Sequence, residues 1–110
     1  MSSRPLFEDS LRAQVEAWNR GDLEGYLARC APDVVYVHAG GVVRGRDALR
    51  ERYGAARGQL AVEIADVEVL DAQVTHTARW SVGDRGGVAL LVWRWADGWF
   101  LAWDATIAAG

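Results

Sequence analysis

One cysteine in 110 residues, Cys30, leaves no partner for an intramolecular disulfide, so nothing in the chain calls for an oxidising compartment and a cytoplasmic location is the expectation. Long apolar runs are also missing. No stretch approaches the ~18 apolar residues of a membrane span, and the start of the chain turns acidic at Glu8 and Asp9, unlike a signal peptide or anchor. Basic clusters are absent too: twelve Lys plus Arg are scattered among fifteen Asp plus Glu, for a formal net charge of −3. Nucleic acid is therefore not an expected partner, because neutralising phosphates needs a basic stripe. The two histidines and the cysteine lie at none of the spacings that zinc sites use, so no metal and no cofactor are expected. The glycine turns at 40–45 and 83–87 lack the strand-to-helix fingerprint of a phosphate cradle. Neither Ser10 nor Ser81 has a histidine placed to activate it, and Cys30 has no basic neighbour in sequence except Arg29.

What remains is an ordinary globular composition, 51% hydrophobic and 25% charged, in a length that suits one domain over residues 1–110. Six tryptophans stand out, with Trp93, Trp95, Trp99 and Trp103 crowded late in the chain. Phe7, Leu11, Gln14, Val15 and Trp18 recur at helical spacing, and the ~3.6-residue period points Gln14 into the apolar face. Gly21 is a fitting end to this helix. Asp22 caps a short second one carrying Tyr26, Leu27 and Cys30, which Pro32 is expected to end.

From Asp33 the period becomes two. Val34, Tyr36 and His38 share one face, and Gly40-Gly41 leads into a return through Val42 and Val43. A third helix is expected over about Arg46–Arg57, with Leu49, Tyr53 and Ala56 inward. Four strands follow. In the first, apolar parity switches between Ile64 and Val67, which predicts a bulge near Ala65-Asp66 and both side chains inward. In the second, Val74, His76, Ala78, Trp80 and Val82 share the inward face, and Asp84–Gly87 reads as a turn. Leu91, Trp93 and Trp95 alternate in the third, Asp97-Gly98 marks a hairpin, and Leu101, Trp103, Ala105 and Ile107 are the expected inward set of the last. The order implies an α+β domain in which a curved, cone-shaped antiparallel sheet wraps the first of three helices.

The segments Ala17-Trp18-Asn19-Arg20-Gly21-Asp22-Leu23, Ala31-Pro32-Asp33-Val34-Val35, Gly41-Val42-Val43-Arg44-Gly45, Asp97-Gly98-Trp99 and Asp104-Ala105-Thr106 resemble the nuclear transport factor 2-like superfamily. Within it, the chain is most similar to the SnoaL-like and ketosteroid-isomerase-like branch of small bacterial proteins. The resemblance spans nearly the whole chain and implies an α+β barrel of the NTF2-like, cystatin-like kind. Carried over by position, it puts His38 where the isomerases hold their general-base carboxylate, Gln14 at their oxyanion-hole tyrosine, and Leu91 where they have a protonated carboxylic acid.

His38 is accordingly the candidate catalytic acid/base, since an imidazole titrates near neutrality. Gln14, Trp18, Tyr36, Tyr53, His76, Trp80, Trp93 and Trp103 are the candidate substrate-binding residues of one cone-shaped apolar pocket for a small, mainly hydrophobic molecule. The corresponding chemistry is that of an isomerase, cyclase or lyase. The alternatives are a non-catalytic ligand-binding module and a dimerisation module whose cone the tryptophans fill. A homodimer is expected through the outer sheet face, formed by Val92, Phe100, Ala102, Thr75, Thr77, Arg79, Arg94, Asp104 and Thr106.

Overall fold

The computed structural model describes residues 4–54 and 58–108. Its elements are α1 (Phe7–Asn19), α2 (Leu23–Ala28), β1 (Cys30–His38), β2 (Gly41–Arg44), α3 (Arg46–Tyr53), β3 (Leu60–Leu70), β4 (Gln73–Val82), β5 (Arg85–Trp95) and β6 (Trp99–Ala108). The three helices cover one face of a single six-stranded sheet of order β2-β1-β6-β5-β4-β3. All neighbouring strands are antiparallel except β1 and β6, which run parallel and join the first hairpin to the meander. No helix among the described residues is long and apolar enough to cross a membrane.

Local chemistry explains most boundaries. The α1 chain ends through Gly21 at φ +78°, and the Asp22 carboxylate accepts from the Gly25 N–H at 2.9 Å to open α2. Asn19 then ties α1 to the sheet: its amide accepts from Leu60 N at 2.6 Å and donates to Leu60 O at 3.0 Å, standing in for a strand neighbour at the start of β3. Pro32 does not end α2. The helix stops at Ala28, and Pro32 sits inside β1, where the register with β6 slips between Cys30 and Val35 and its missing N–H costs no ladder bond. The helix α3 closes at Tyr53; Ala56 and Arg57, expected within it, lie outside the described residues.

The bulge in β3 is where the parity switch puts it. Its register with β4 slips between Ala65 and Glu68, and Asp66 adopts φ +51°. The consequence for burial differs from expectation: Val62 and Ile64 are half-buried, but Val67, Val69 and Leu70, on the far half of this edge strand, are exposed. The β4–β5 turn is also tighter than Asp84–Gly87. Val82 pairs with Arg85, leaving a two-residue loop of Gly83, at φ +60°, and Asp84.

The larger correction is in β6. Trp93 pairs with Leu101 but Val92 pairs with Trp103, so Ala102 is an extra residue and every later side chain changes face. Leu101 stays inward. Trp103 and Ile107, expected inward, point outward at 39% and 71% exposure, while Asp104 and Thr106, expected on the outer face, turn into the cone.

Candidate functional site

Between helices and sheet lies a cavity of about 510 Å³. The helical wall is Leu11, Gln14, Val15 and Trp18 of α1, Tyr26 of α2, and Arg52 and Tyr53 of α3. The sheet supplies Tyr36, Leu60, Val62, Ala78, Trp80, Val82, Arg85, Ala89, Leu91, Leu101, Asp104 and Thr106, and the β4–β5 turn adds Gly83 and Asp84. The tryptophans do not fill the cone.

Four aromatic rings from four elements form a continuous wall. Trp18 meets Tyr26 and Tyr53 edge-on at centroid distances of 5.2 and 5.4 Å, Tyr26 meets Tyr53 at 5.8 Å, and Tyr53 meets Tyr36 at 5.7 Å. Trp18 is oriented by its indole N–H, which donates to Gly58 O at 3.1 Å. Burial pushes the phenols of Tyr26 and Tyr53 well above their ordinary value, so both remain neutral donors. Gln14, 3% exposed as its helical phase required, donates weakly to Cys30 Sγ at 3.5 Å.

Asp104 is the residue that alternation misplaced. It is the one carboxyl among these apolar and phenolic groups, with Asp84 out on the turn. Its Oδ1 is out of contact with solvent and has no hydrogen-bond partner among the described residues. Desolvation alone pushes its carboxyl from the ordinary 3.8 up to about 7. Its charge also helps hold up the neighbouring groups: Cys30 is pushed up to about 12, first by burial and then by Asp104. The signal for Asp104 was present in the Asp104-Ala105-Thr106 motif, but strict alternation from Leu101 assigned it to the outside.

Of the residues expected to line the pocket, Gln14, Trp18, Tyr36, Tyr53 and Trp80 do so. His38, Trp93, His76 and Trp103 do not. His38 shares the Tyr36 face and stacks on that ring at 5.2 Å, but it sits half-buried at the end of β1, and its Nδ1 accepts from the Gly40 N–H at 3.0 Å. His76 and Trp93 are both fully buried and bonded to each other, the Trp93 indole donating to His76 Nε2 at 3.0 Å. His76 Nδ1, 2.9 Å from Thr77 O, therefore carries the proton, and burial lowers its pKa, so this histidine is a neutral core bridge. Trp103 lies on the outer face because of the Ala102 bulge.

Comparison with known proteins agrees with this architecture. A family model described as a SnoaL-like domain matches residues 11–105. No curated protein sequence matches the chain. Among solved structures, an NTF-2 like protein of unknown function from Shewanella oneidensis MR-1 superposes with a TM-score of 0.81 at 24% identity, covering 92% of this chain and 95% of that one. A ketosteroid isomerase-like protein from Erwinia carotovora atroseptica SCRI1043 gives 0.78 at 21% identity, covering 94% and 93%. A putative calcium/calmodulin-dependent protein kinase type II association domain from Thiobacillus denitrificans gives 0.79 at 21%, covering both chains fully. These likenesses extend to the fold. The family match over most of its length makes the chain a member of the SnoaL-like domain family, and the solved structures show that its fold is NTF2-like.

Proposed function

We propose that the cone binds a small, mainly hydrophobic carbonyl compound and that Asp104 is its general acid/base, in an isomerase, cyclase or lyase reaction. The observation that carries this reading is the Asp104 carboxyl inside an aromatic cavity, its Oδ1 without a hydrogen-bond partner among the described residues and its pKa raised to about 7. A base poised near the working pH combines a usable ionised fraction with real proton affinity. In the step common to the three reaction types, the Asp104 carboxylate removes a proton from the carbon next to the carbonyl. The C–H electron pair moves into the enolate and the proton rests on the carboxyl, from which an isomerase returns it to carbon, a cyclase gives it to the oxygen of the carbonyl that the enolate attacks, and a lyase gives it to the leaving group. The neutral phenols of Tyr26 and Tyr53 and the Gln14 amide face the same space as donors for the enolate oxygen.

His38, half-buried and engaged with Gly40, has no part in this reading. A filled-cone dimerisation module is not favoured, because the cone is open. The test is exchange of the α-hydrogens of 4-phenylcyclohexanone for deuterium, followed by NMR in D2O. Asp104→Asn should slow protein-catalysed exchange by ~10²–10⁴-fold. Exchange at the wild-type rate in that variant would remove Asp104 from the chemistry.

The outer sheet face is proposed as a homodimer surface, in a form revised from the alternation pattern. Val88, Leu90, Trp103 and Ile107 are exposed on adjacent paired positions of β5 and β6, an apolar strip that suits burial against a second copy. Sedimentation should give a dimer at micromolar concentration, reduced to monomer by Trp103→Glu with Leu90→Glu. A monomeric wild type would refute it.

A further inference from the structure

Two arginines reach the cavity, Arg52 from α3 and Arg85 from the start of β5, and neither forms an ion pair among the described residues. Arg50, two residues before Arg52 on the same helix, is treated differently: its guanidinium is held by Glu24 at 2.7 Å and by Asp47 at 2.6 Å. Asp84 also lines the cavity and precedes Arg85 in the chain, so it offsets that charge. The other carboxyl of the cavity, Asp104, holds its proton to about 7. Below that pH Arg52 is the cavity's uncompensated cation.

Arg52 is also held in place. Its guanidinium carbon lies 5.5 Å from the ring centroid of Tyr36, which belongs to the cavity wall. Stacking on an aromatic face engages the flat surface of a guanidinium and leaves its in-plane N–H donors pointing outward, in the fork that fits a carboxylate bidentately. Arg52 is exposed, so an entering ligand meets it at the opening of the cavity with no rearrangement of the core. Tyr36 is in turn paired with Asp104 across β1 and β6, strands ~4.8 Å apart. The cation and the carboxyl are thus gathered around one tyrosine, within reach of a single small molecule.

We propose that the ligand is an apolar oxo acid, whose carbonyl portion enters the aromatic cone toward Asp104 while its carboxylate stays at the opening, bound by Arg52. The inference rests on the cavity reading above and adds to it the charge of the substrate and a specificity-determining residue. Arg52 selects an anion; it takes no part in proton transfer.

The probes are 5-oxo-5-phenylpentanoate and its amide, 5-oxo-5-phenylpentanamide, which share the aryl ketone and differ in charge. Titration calorimetry is run at pH 6, where Asp104 keeps its proton and adds no repulsion, and at low ionic strength, where an exposed ion pair is least screened. Wild type should bind the acid ~10-fold more tightly than the amide, the ratio a charge-assisted hydrogen-bonded pair supplies. The ratio should fall to about one in Arg52→Gln and survive in part in Arg52→Lys, which keeps the charge and loses the fork. In Arg50→Gln, the same change at the arginine engaged with Glu24 and Asp47, it should stay at its wild-type value. A ratio near one in wild type, or a ratio preserved in Arg52→Gln, overturns the proposal and leaves the cavity reading standing. Binding of neither probe to wild type overturns both.

Discussion

Replacing Asp104 by asparagine should make the protein more stable at alkaline pH and leave it nearly unchanged in acid. Below about pH 3 the carboxyl is protonated in both the folded and the unfolded chain, and its burial carries no charge penalty. As the pH rises toward 7 the unfolded chain ionises at the ordinary value of 3.8, while the folded chain holds its proton to about 7. The folded state then binds more protons, so stability falls through this window and levels off above it. The interval between 3.8 and about 7 corresponds to ~4 kcal/mol, a ceiling that relaxation around the charge reduces. Half of that ceiling shifts Tm by ~10 °C in a domain of this size. Tyr26, Tyr53 and Cys30, whose titration Asp104 influences, all have raised pKa values and stay neutral across the range. His76 has the opposite sign, because its lowered pKa lets the unfolded chain take up a proton first as pH falls below 6.5, but it is common to both proteins and cancels in their difference. Calorimetric melts of wild type and Asp104→Asn from pH 4 to 8.5 should therefore diverge with a midpoint between pH 4 and 7. A Tm difference independent of pH would refute the desolvated carboxyl on which the functional reading stands.

His38→Ala should change α-hydrogen exchange less than about twofold, since the imidazole is outside the cavity; a fall of the size expected for losing a general base, ~10²-fold or more, would return it to the mechanism. His76→Ala should lower stability by ~3 kcal/mol in urea denaturation, because it opens a void in the core and strips the acceptor from the fully buried Trp93 indole; a loss under ~1 kcal/mol would show the bridge to be dispensable. Gly87→Ala should cost ~2 kcal/mol or more by the same assay, as its added Cβ would run into the Ile107 carbonyl and Ala108 Cα across the β5–β6 pair; a neutral result would mean those strands part easily there.

The residues that sequence placed correctly are those whose position depends on an uninterrupted local period. Gln14 reaches the cavity because a helix of 3.6 residues per turn carries it there with Leu11 and Trp18, and Trp80 because β4 alternates without a break from Val74 to Val82. The β3 bulge was legible because apolar parity itself switches at Ala65-Asp66. In β6 it does not switch: Leu101, Trp103, Ala105 and Ile107 continue an apolar alternation that looks inward throughout, yet the extra residue at Ala102 reverses everything after it. Such a bulge is set by the partners on either side, β5 antiparallel and β1 parallel, whose registers both slip near the same point of β6. Pairing across strands far apart in the chain, which local periodicity does not encode, thus exchanged Trp103 for Asp104 on the cavity wall and left the apolar indole outside. The same holds for the histidines. Their strand faces were readable, but whether an inward imidazole meets an open cavity, a turn or a tryptophan depends on what tertiary packing brings opposite it. For His76 that is Trp93, and for His38 the Gly40 amide.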